Sequence, residues 1–213
     1  MELLEVMRGR HSVRKYLNRP IEQEKRETID SFVESVCNES GLSIQVFYDE
    51  PDCFRSFFTH YGFFSNVRNY IAIVGNDEDQ EKAGYFGEKV VIRCQELGLN
   101  TCWVGITHGK SKAVIGEGQK LLIIISLGYG KNQGTPHRNK PLEKLCRADE
   151  QCQWFQTGMD AVLLAPTAFN QQKYFFELKQ GVVTTKALKG PYSKMDLGIV
   201  KYHFEAVTGH KVK

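Results

Sequence analysis

Apolar residues recur along this chain with two periods, close to 3.6 in some stretches and 2 in others. Leu3, Leu4 and Met7 mark one face of a short helix over residues 2–8, which Gly9 ends. The R-P-I-E run at 19–22 carries a proline that opens a second helical stretch, to about residue 38. Residues 42–48 alternate as LSIQVFY and predict a strand. NYIAIVG (69–75) predicts a buried strand closed by glycine. Residues 82–97 set Ala83, Phe86, Val90, Val91, Cys94 and Leu97 near helical spacing, and Gly98 follows where a left-handed residue ends a helix at little cost. TCWVG (101–105) is a short extended segment. LLIIISLGYG (121–130) is apolar enough to predict a central strand. A polar loop, KNQGTPHRNK (131–140), comes next. The pattern then predicts mostly helix over 141–165, split near Gly158, a turn at APTAFNQQ (165–172) and a strand at YFFEL (174–178). GVVTTKALKGPYS (181–193) reads as loop, and residues 196–209 as a final amphipathic helix ending in glycine. Helices alternating with strands, joined by long loops, predict an α+β or α/β layered domain.

A weak internal repeat crosses this pattern. R-P-I-E (19–22) leads a helix and then a strand, and K-P-L-E (140–143) does the same. YFGEKVVIRCQELG (85–98) resembles MDLGIVKYHFEAVTG (195–209), with Gly87 and Gly98 in one copy matched by Gly198 and Gly209 in the other. The spacing between copies drifts. The pattern therefore reads either as a duplication with unequal loops or as chance likeness of two amphipathic helices.

Composition narrows the class. With 213 residues, 41% hydrophobic and 25% charged, the chain can bury a substantial core and is not a disordered polymer. It reads as one domain over 1–213, or as two pseudo-symmetric halves of about 1–135 and 136–213 if the repeat is a duplication. A net charge of +3, with acids scattered among the bases, argues against a nucleic-acid partner. The six cysteines form no C-x-x-C pair and no zinc spacing, so no metal site is expected. The longest apolar run, LLIIISL (121–127), is too short for a membrane span, and the N-terminus reads as no leader. A cytoplasmic protein with reduced thiols and no membrane partner is the expectation.

Four segments carry candidate chemistry. RGRHSVRKY (8–16) packs three arginines, a serine and a histidine into nine residues. Arginine offers a rigid fork of charged donors and serine a short-reach hydroxyl, the composition a phosphate site needs. In extended backbone Arg10, Ser12 and Arg14 share one side. The same run also reads as a solvated basic stretch. APTAFNQQ (165–172) sets hydroxyl and amide side chains between two apolar elements, able to hydrogen-bond a planar, amide-rich ring. It reads equally as a turn whose Asn and Thr satisfy the backbone. LNTCWVG (99–105) brings glycine-containing backbone close to a ligand, or packs Trp103 in the core. HRNKP (137–141) offers Arg138 and Lys140 as phosphate partners or as surface charge. The aromatic-rich stretch at 48–64 walls a pocket or packs a long loop.

Together these segments resemble the nitroreductase family. R-H-S-V-R-K-Y is similar to its R-R-S-x-R-x-[FY] motif, and LAPTAFNQQ (164–172) to its [AS]-P-S-x-x-N-x-Q motif. G-Y-F-G…QELGLNTCWVG and ISLGYG…HRNKPLEKL (125–145) resemble two further family stretches. The resemblance spans most of the chain, but the order differs. The P-S-x-x-N motif ordinarily lies in the first third, and here VESVCNESGLS (33–43) stands in that place without it. In the usual homodimer one subunit supplies the arginine motif and the other the P-S-x-x-N motif. The resemblance is to a subgroup in which one chain mimics the dimer.

The resemblance implies a nitroreductase-like central sheet flanked by helices, one flavin mononucleotide (FMN) site per chain and a degenerate second site. It implies NAD(P)H as electron donor and a small acceptor of the nitro or quinone type, with no catalytic side chain beyond the flavin. Arg10, His11 and Ser12 would hold phosphate and ribityl chain, with Arg138 or Lys140 closing the phosphate. Arg14 would lie toward the pyrimidine edge. Trp103, Val104 and Gly105 would present backbone to the ring, and Pro166, Thr167 and Asn170 would contact it. The assembly would be a monomer or homodimer. The alternative is a non-catalytic or sensory flavin-binding protein of the same fold.

Overall fold

A computed structural model describes residues 2–56 and 61–213. The chain divides into two compact units. One comprises Gly9–Asp79 and Val90–Thr135; the other comprises Met1–Arg8, Gln80–Lys89 and Pro136–Lys213.

The first unit is built on a four-stranded antiparallel sheet of β1 (Ser43–Phe47), β2 (Asn69–Gly75), β3 (Asn100–Val104) and β4 (Lys120–Gly128), in the order β1-β2-β4-β3. β2 and β4 lie inside the sheet, and their runs of Ile, Val and Leu are buried, as strands covered on both faces must be. Helix α2 (Gln23–Ser40) buries Ile29, Val33 and Val36 and ends at Gly41 with φ +71°. It begins three residues later than Pro20 suggested: residues 20–22 lie outside the helix, with Glu22 extended in the capping position.

Helix α1 (Leu3–Gly9) and helix α3 (Gln80–Glu96) each contribute residues to both units. The second unit also holds strands β5 (Cys146–Ala148), β6 (Tyr174–Lys179) and β7 (Val182–Ala187) and helices α4 (Gln153–Val162) and α5 (Ser193–Thr208). Its sheet runs β5-β6-β7, with β5 parallel and β7 antiparallel to β6. Phe204 of α5 stacks on Phe176 of β6 at 5.4 Å and meets Phe155 of α4 at 5.7 Å, forming the centre of this unit's core.

Three expectations change here. Residues 181–193 are not all loop. Gln180 and Gly181 both have positive φ, the geometry of a two-residue hairpin turn, and β7 then pairs back along β6. Residues 141–165 are not mostly helix, because Cys146–Ala148 is captured by β6 as a parallel strand. Helix α4 runs through Gly158 unbroken; a Cβ there would lie 2.3 Å from the Phe204 ring, so the glycine serves packing rather than a break.

Helices α3 and α5 approach within the second unit at Gly84 and Gly198. A Cβ on Gly84 would sit 2.0 Å from the Met195 carbonyl oxygen, and one on Gly198 would sit 1.8 Å from that of Glu81. Backbone packs on backbone there. Beside the crossing, His203 and Glu88 are both fully buried, 3.0 Å apart, and the other ring nitrogen of His203 lies 2.9 Å from the Ala161 carbonyl.

Candidate functional site

In the first unit the arginine-bearing segment is stitched to the sheet. Ser12 bridges Thr101 of β3 in parallel, and the Val13 amide donates to the Thr101 carbonyl at 3.0 Å. Further on, the Tyr16 amide donates to Ser65 and the Leu17 amide to Tyr129. Val13 and Tyr16 enter a core cluster with Tyr70, Val104 and Ile124, and this fixes which side the intervening residues take. The Tyr16 hydroxyl hydrogen-bonds the Val13 carbonyl and Ser126 Oγ, each at 2.7 Å, tightening the segment's curl.

The alternation predicted for Arg10, Ser12 and Arg14 does not appear in the segment's burial: Arg10, Val13 and Tyr16 are buried, Ser12 is half-buried and Arg14 is exposed. Burial pushes the Cys102 thiol up, while the Arg14 charge, a hydrogen bond with Ser12 and the Arg10 charge pull it down. Arg10 is 2% exposed, whereas Arg14 is exposed. His11 is held below the usual histidine range by burial and then by the Arg10 charge, against a backbone hydrogen bond that raises it, so its ring is neutral at pH 7. It can donate a hydrogen bond but adds no charge there. Trp103 and Gly105 are half-buried at the end of β3 and Val104 is buried in the core cluster.

In the second unit the structure brings the 137–141 loop against the 165–172 turn. Asn170 Nδ2 and Gln172 Nε2 both donate to the Arg138 carbonyl at 2.8 Å, and Gln172 Nε2 also reaches Asn170 Oδ1 at 2.9 Å. The Gln172 amide N–H donates to Thr167 Oγ1 at 3.1 Å, which leaves the threonine hydroxyl hydrogen available as a donor. Lys140 is engaged in the turn. Its Nζ donates to the carbonyls of Gln171 and Gln172, so two of its three donors hold the turn rather than await a phosphate. The Arg138 side chain is exposed, and Pro166 is half-buried.

This turn is strained. Phe169, Asn170 and Gln172 have φ of 53°, 52° and 44°. Non-glycine residues in the left-handed region cost on the order of 1 kcal/mol or more each and persist only where surroundings enforce them. The enforcing contacts include Asp196, in the first turn of α5 and 2% exposed. Asp196 Oδ1 accepts the Ala168 amide at 2.9 Å and Oδ2 accepts Gln171 Nε2 at 2.8 Å. Burial pushes its carboxyl up to about 6, against those two hydrogen bonds. Sequence reasoning left out Asp196, because on the chain it is only an acid at a helix start. Gln171 and Gln172 stood inside the motif but received no role.

At 48–64 only part of the aromatic stretch can be placed, since residues 57–60 lie outside the described residues. Phe54 and Phe64 meet edge-on at 5.2 Å within the core cluster, while Tyr61 and Phe63 are exposed. Among the described residues no helix is long and apolar enough to cross a membrane.

Comparison with known proteins places this geometry. A family model described as "Putative TM nitroreductase" matches residues 2–208. The structure of a "putative nitroreductase" from Thermotoga maritima is similar over 97% of this chain and 83% of that one, with TM-score 0.72 and 20% identity. A nitroreductase family protein from Clostridium difficile 630 is similar over 68% of this chain and 96% of its own, with TM-score 0.53 and 16% identity. A "Putative NADH dehydrogenase/NAD(P)H nitroreductase" from Bacteroides thetaiotaomicron covers 67% and 95%, with TM-score 0.51 and 18% identity. At such identities these likenesses establish the mixed α+β nitroreductase fold. No curated protein matches the chain. Because the family model spans residues 2–208, the chain belongs to that nitroreductase family.

Proposed function

We propose that this protein is an FMN-dependent oxidoreductase that takes hydride from NAD(P)H and passes it to a small acceptor of the nitro or quinone type. The observation that carries the reading is the cationic segment 10–14, pinned alongside β3 by the Ser12–Thr101 bridge and the hydrogen bond from the Val13 amide to the Thr101 carbonyl. Its donors fit a phosphate monoester: two guanidinium forks, a hydroxyl and a neutral imidazole. When bound, FMN would supply the redox chemistry, accepting and releasing a hydride at its ring.

In this reading Arg10, His11 and Ser12 hold the phosphate and ribityl chain. Arg14 supplies positive charge toward the pyrimidine edge, where it favours an electron-rich ring. Trp103, Val104 and Gly105 lay backbone against the ring. Pro166, Thr167 and Asn170 contact the ring system, Thr167 through its remaining hydroxyl hydrogen. Arg138 reaches phosphate through an exposed guanidinium, and Lys140 acts through the turn it holds. No side chain is assigned as nucleophile or acid. The protein's contribution is to orient donor and acceptor in turn and to keep water from the reduced ring.

The test is an anaerobic absorbance titration of FMN-reconstituted protein with NADH and NADPH separately. Flavin bands that bleach with one or both nicotinamides, and return on adding a quinone, are the expected result. Bound flavin that neither nicotinamide reduces would point instead to a binding or sensory module, and no bound flavin would overturn the assignment.

A further inference from the structure

We infer that Asp196 is a positioning residue, holding the strained 167–172 turn in the one conformation that presents Thr167 and Asn170 to the flavin; the inference rests on the proposed function above. Three observations meet at this carboxylate. It ties the turn at two points, through the Ala168 amide and the Gln171 side chain. The residues between and beside those ties, Phe169, Asn170 and Gln172, are the ones with positive φ. The Gln171 amide is itself seated in a shaped socket: Nε2 also donates to the Pro191 carbonyl at 2.6 Å, and a Cβ on Gly190 would lie 2.4 Å from Gln171 Oε1. Any larger residue at 190 would evict the glutamine.

Turns that merely connect elements seldom contain three left-handed non-glycine residues in four, nor bury a carboxylate to hold them. The geometry leaves Phe169 75% exposed at the tip, so the strain is not repaid by packing that side chain. Lys140 pulls on the turn from the other side through the Gln171 and Gln172 carbonyls. Asp196 fixes the amide edge of the same backbone, and its charge is felt by Tyr174 of β6. The turn is thus clamped on both its donor and acceptor sides.

The experiment compares wild type, Asp196→Asn and Asp196→Ala as flavin-stripped full chains. Hydrogen–deuterium exchange over the turn is measured first, then FMN affinity by fluorescence quenching, then the unfolding midpoint. Asp196→Ala is expected to speed exchange of the Ala168 amide and weaken FMN binding, each by about tenfold or more, as loss of two hydrogen bonds to a charged acceptor implies. Asp196→Asn keeps one acceptor and is expected to fall between, with an unfolding midpoint no lower than wild type. That split separates positioning from a structural role, which would lower the midpoint as well. If Asp196→Ala does not fold, the Asn variant carries the comparison. Unchanged exchange would show that Asp196 does not hold the turn. Faster exchange with unchanged FMN affinity would show that the turn is held for something other than flavin. Wild-type protein that binds no FMN would overturn the functional reading and the positioning role with it, while the exchange data would still report on the clamp.

Discussion

Replacing His203 by phenylalanine would set an apolar ring against the fully buried Glu88 carboxyl and remove one of the hydrogen bonds to the Ala161 carbonyl, which the Leu164 amide also reaches at 3.0 Å. Both side chains are 0% exposed, so water cannot take over either contact. Removing one member of a buried hydrogen-bonded acid–base pair costs roughly 3–5 kcal/mol, because the survivor stays desolvated with one hydrogen bond fewer. For a chain of this length that corresponds to a fall in unfolding midpoint of roughly 6–20 °C. Glu88→Leu should cost a similar amount. The double variant, with leucine at 88 and phenylalanine at 203, removes both polar groups. It should lose only about 1–3 kcal/mol, for one hydrogen bond fewer to the Ala161 carbonyl and an imperfect fit. The assay is guanidinium unfolding of the four proteins under one buffer, read as a double-mutant cycle. Two outcomes refute the reasoning: single variants within about 1 kcal/mol of wild type, or a double variant whose loss equals the sum of the singles. Either would mean that the two groups are not coupled in the core.

Further expectations concern pH, the segment's curl and the flavin charges. Asp196 has its folded-state pKa raised from 3.8 to about 6, so its neutral form is the one the fold favours. The associated stability is full below about pH 4 and lost as pH rises through 6; at pH 7.5 the loss approaches about 3 kcal/mol. Unfolding of Asp196→Asn should therefore show a stability advantage over wild type that appears between pH 4 and 7, and an advantage constant with pH would contradict this. Tyr16→Phe removes a buried hydroxyl bonded to the Val13 carbonyl and Ser126, and should cost about 1–2 kcal/mol in urea unfolding while weakening FMN binding; unaltered stability would show that the hydroxyl does not fix the curl. Arg14→Ala, at an exposed position, should leave the unfolding midpoint nearly unchanged yet weaken FMN about 10–100-fold, the worth of a charge-assisted hydrogen bond. Equal affinity would remove Arg14 from the site.

Which features were legible on the chain follows from the range of the forces involved. The interior strands β2 and β4 were readable because burial on both faces requires continuous apolar runs, and NYIAIVG and LLIIISL have them. Helices α3 and α5 were readable from periodicity, and Gly98 and Gly209 take the left-handed φ, +74° and +72°, that their place after a helix required. The arginine segment was readable because charge is a local property, but its burial, at Arg10, Val13 and Tyr16, does not follow the alternation that the sequence suggested.

Other features depend on residues far apart in the chain. β7 reads as loop until β6 pairs with it, and Cys146–Ala148 until β6 recruits it, since a strand's hydrogen bonds belong to its neighbour. Lys140 looks like a phosphate ligand on the chain; the fold turns its ammonium onto the Gln171 and Gln172 carbonyls, 31 and 32 residues away. Asp196 is one acid among the chain's 25 acidic residues until the packing of α5 sets it under the Ala168 amide. By itself the sequence determined the elements with strong periodicity, the cationic segment and the family. Tertiary structure alone decided which polar groups face one another without water, and desolvation is what turns such a meeting into a held turn or a shifted proton.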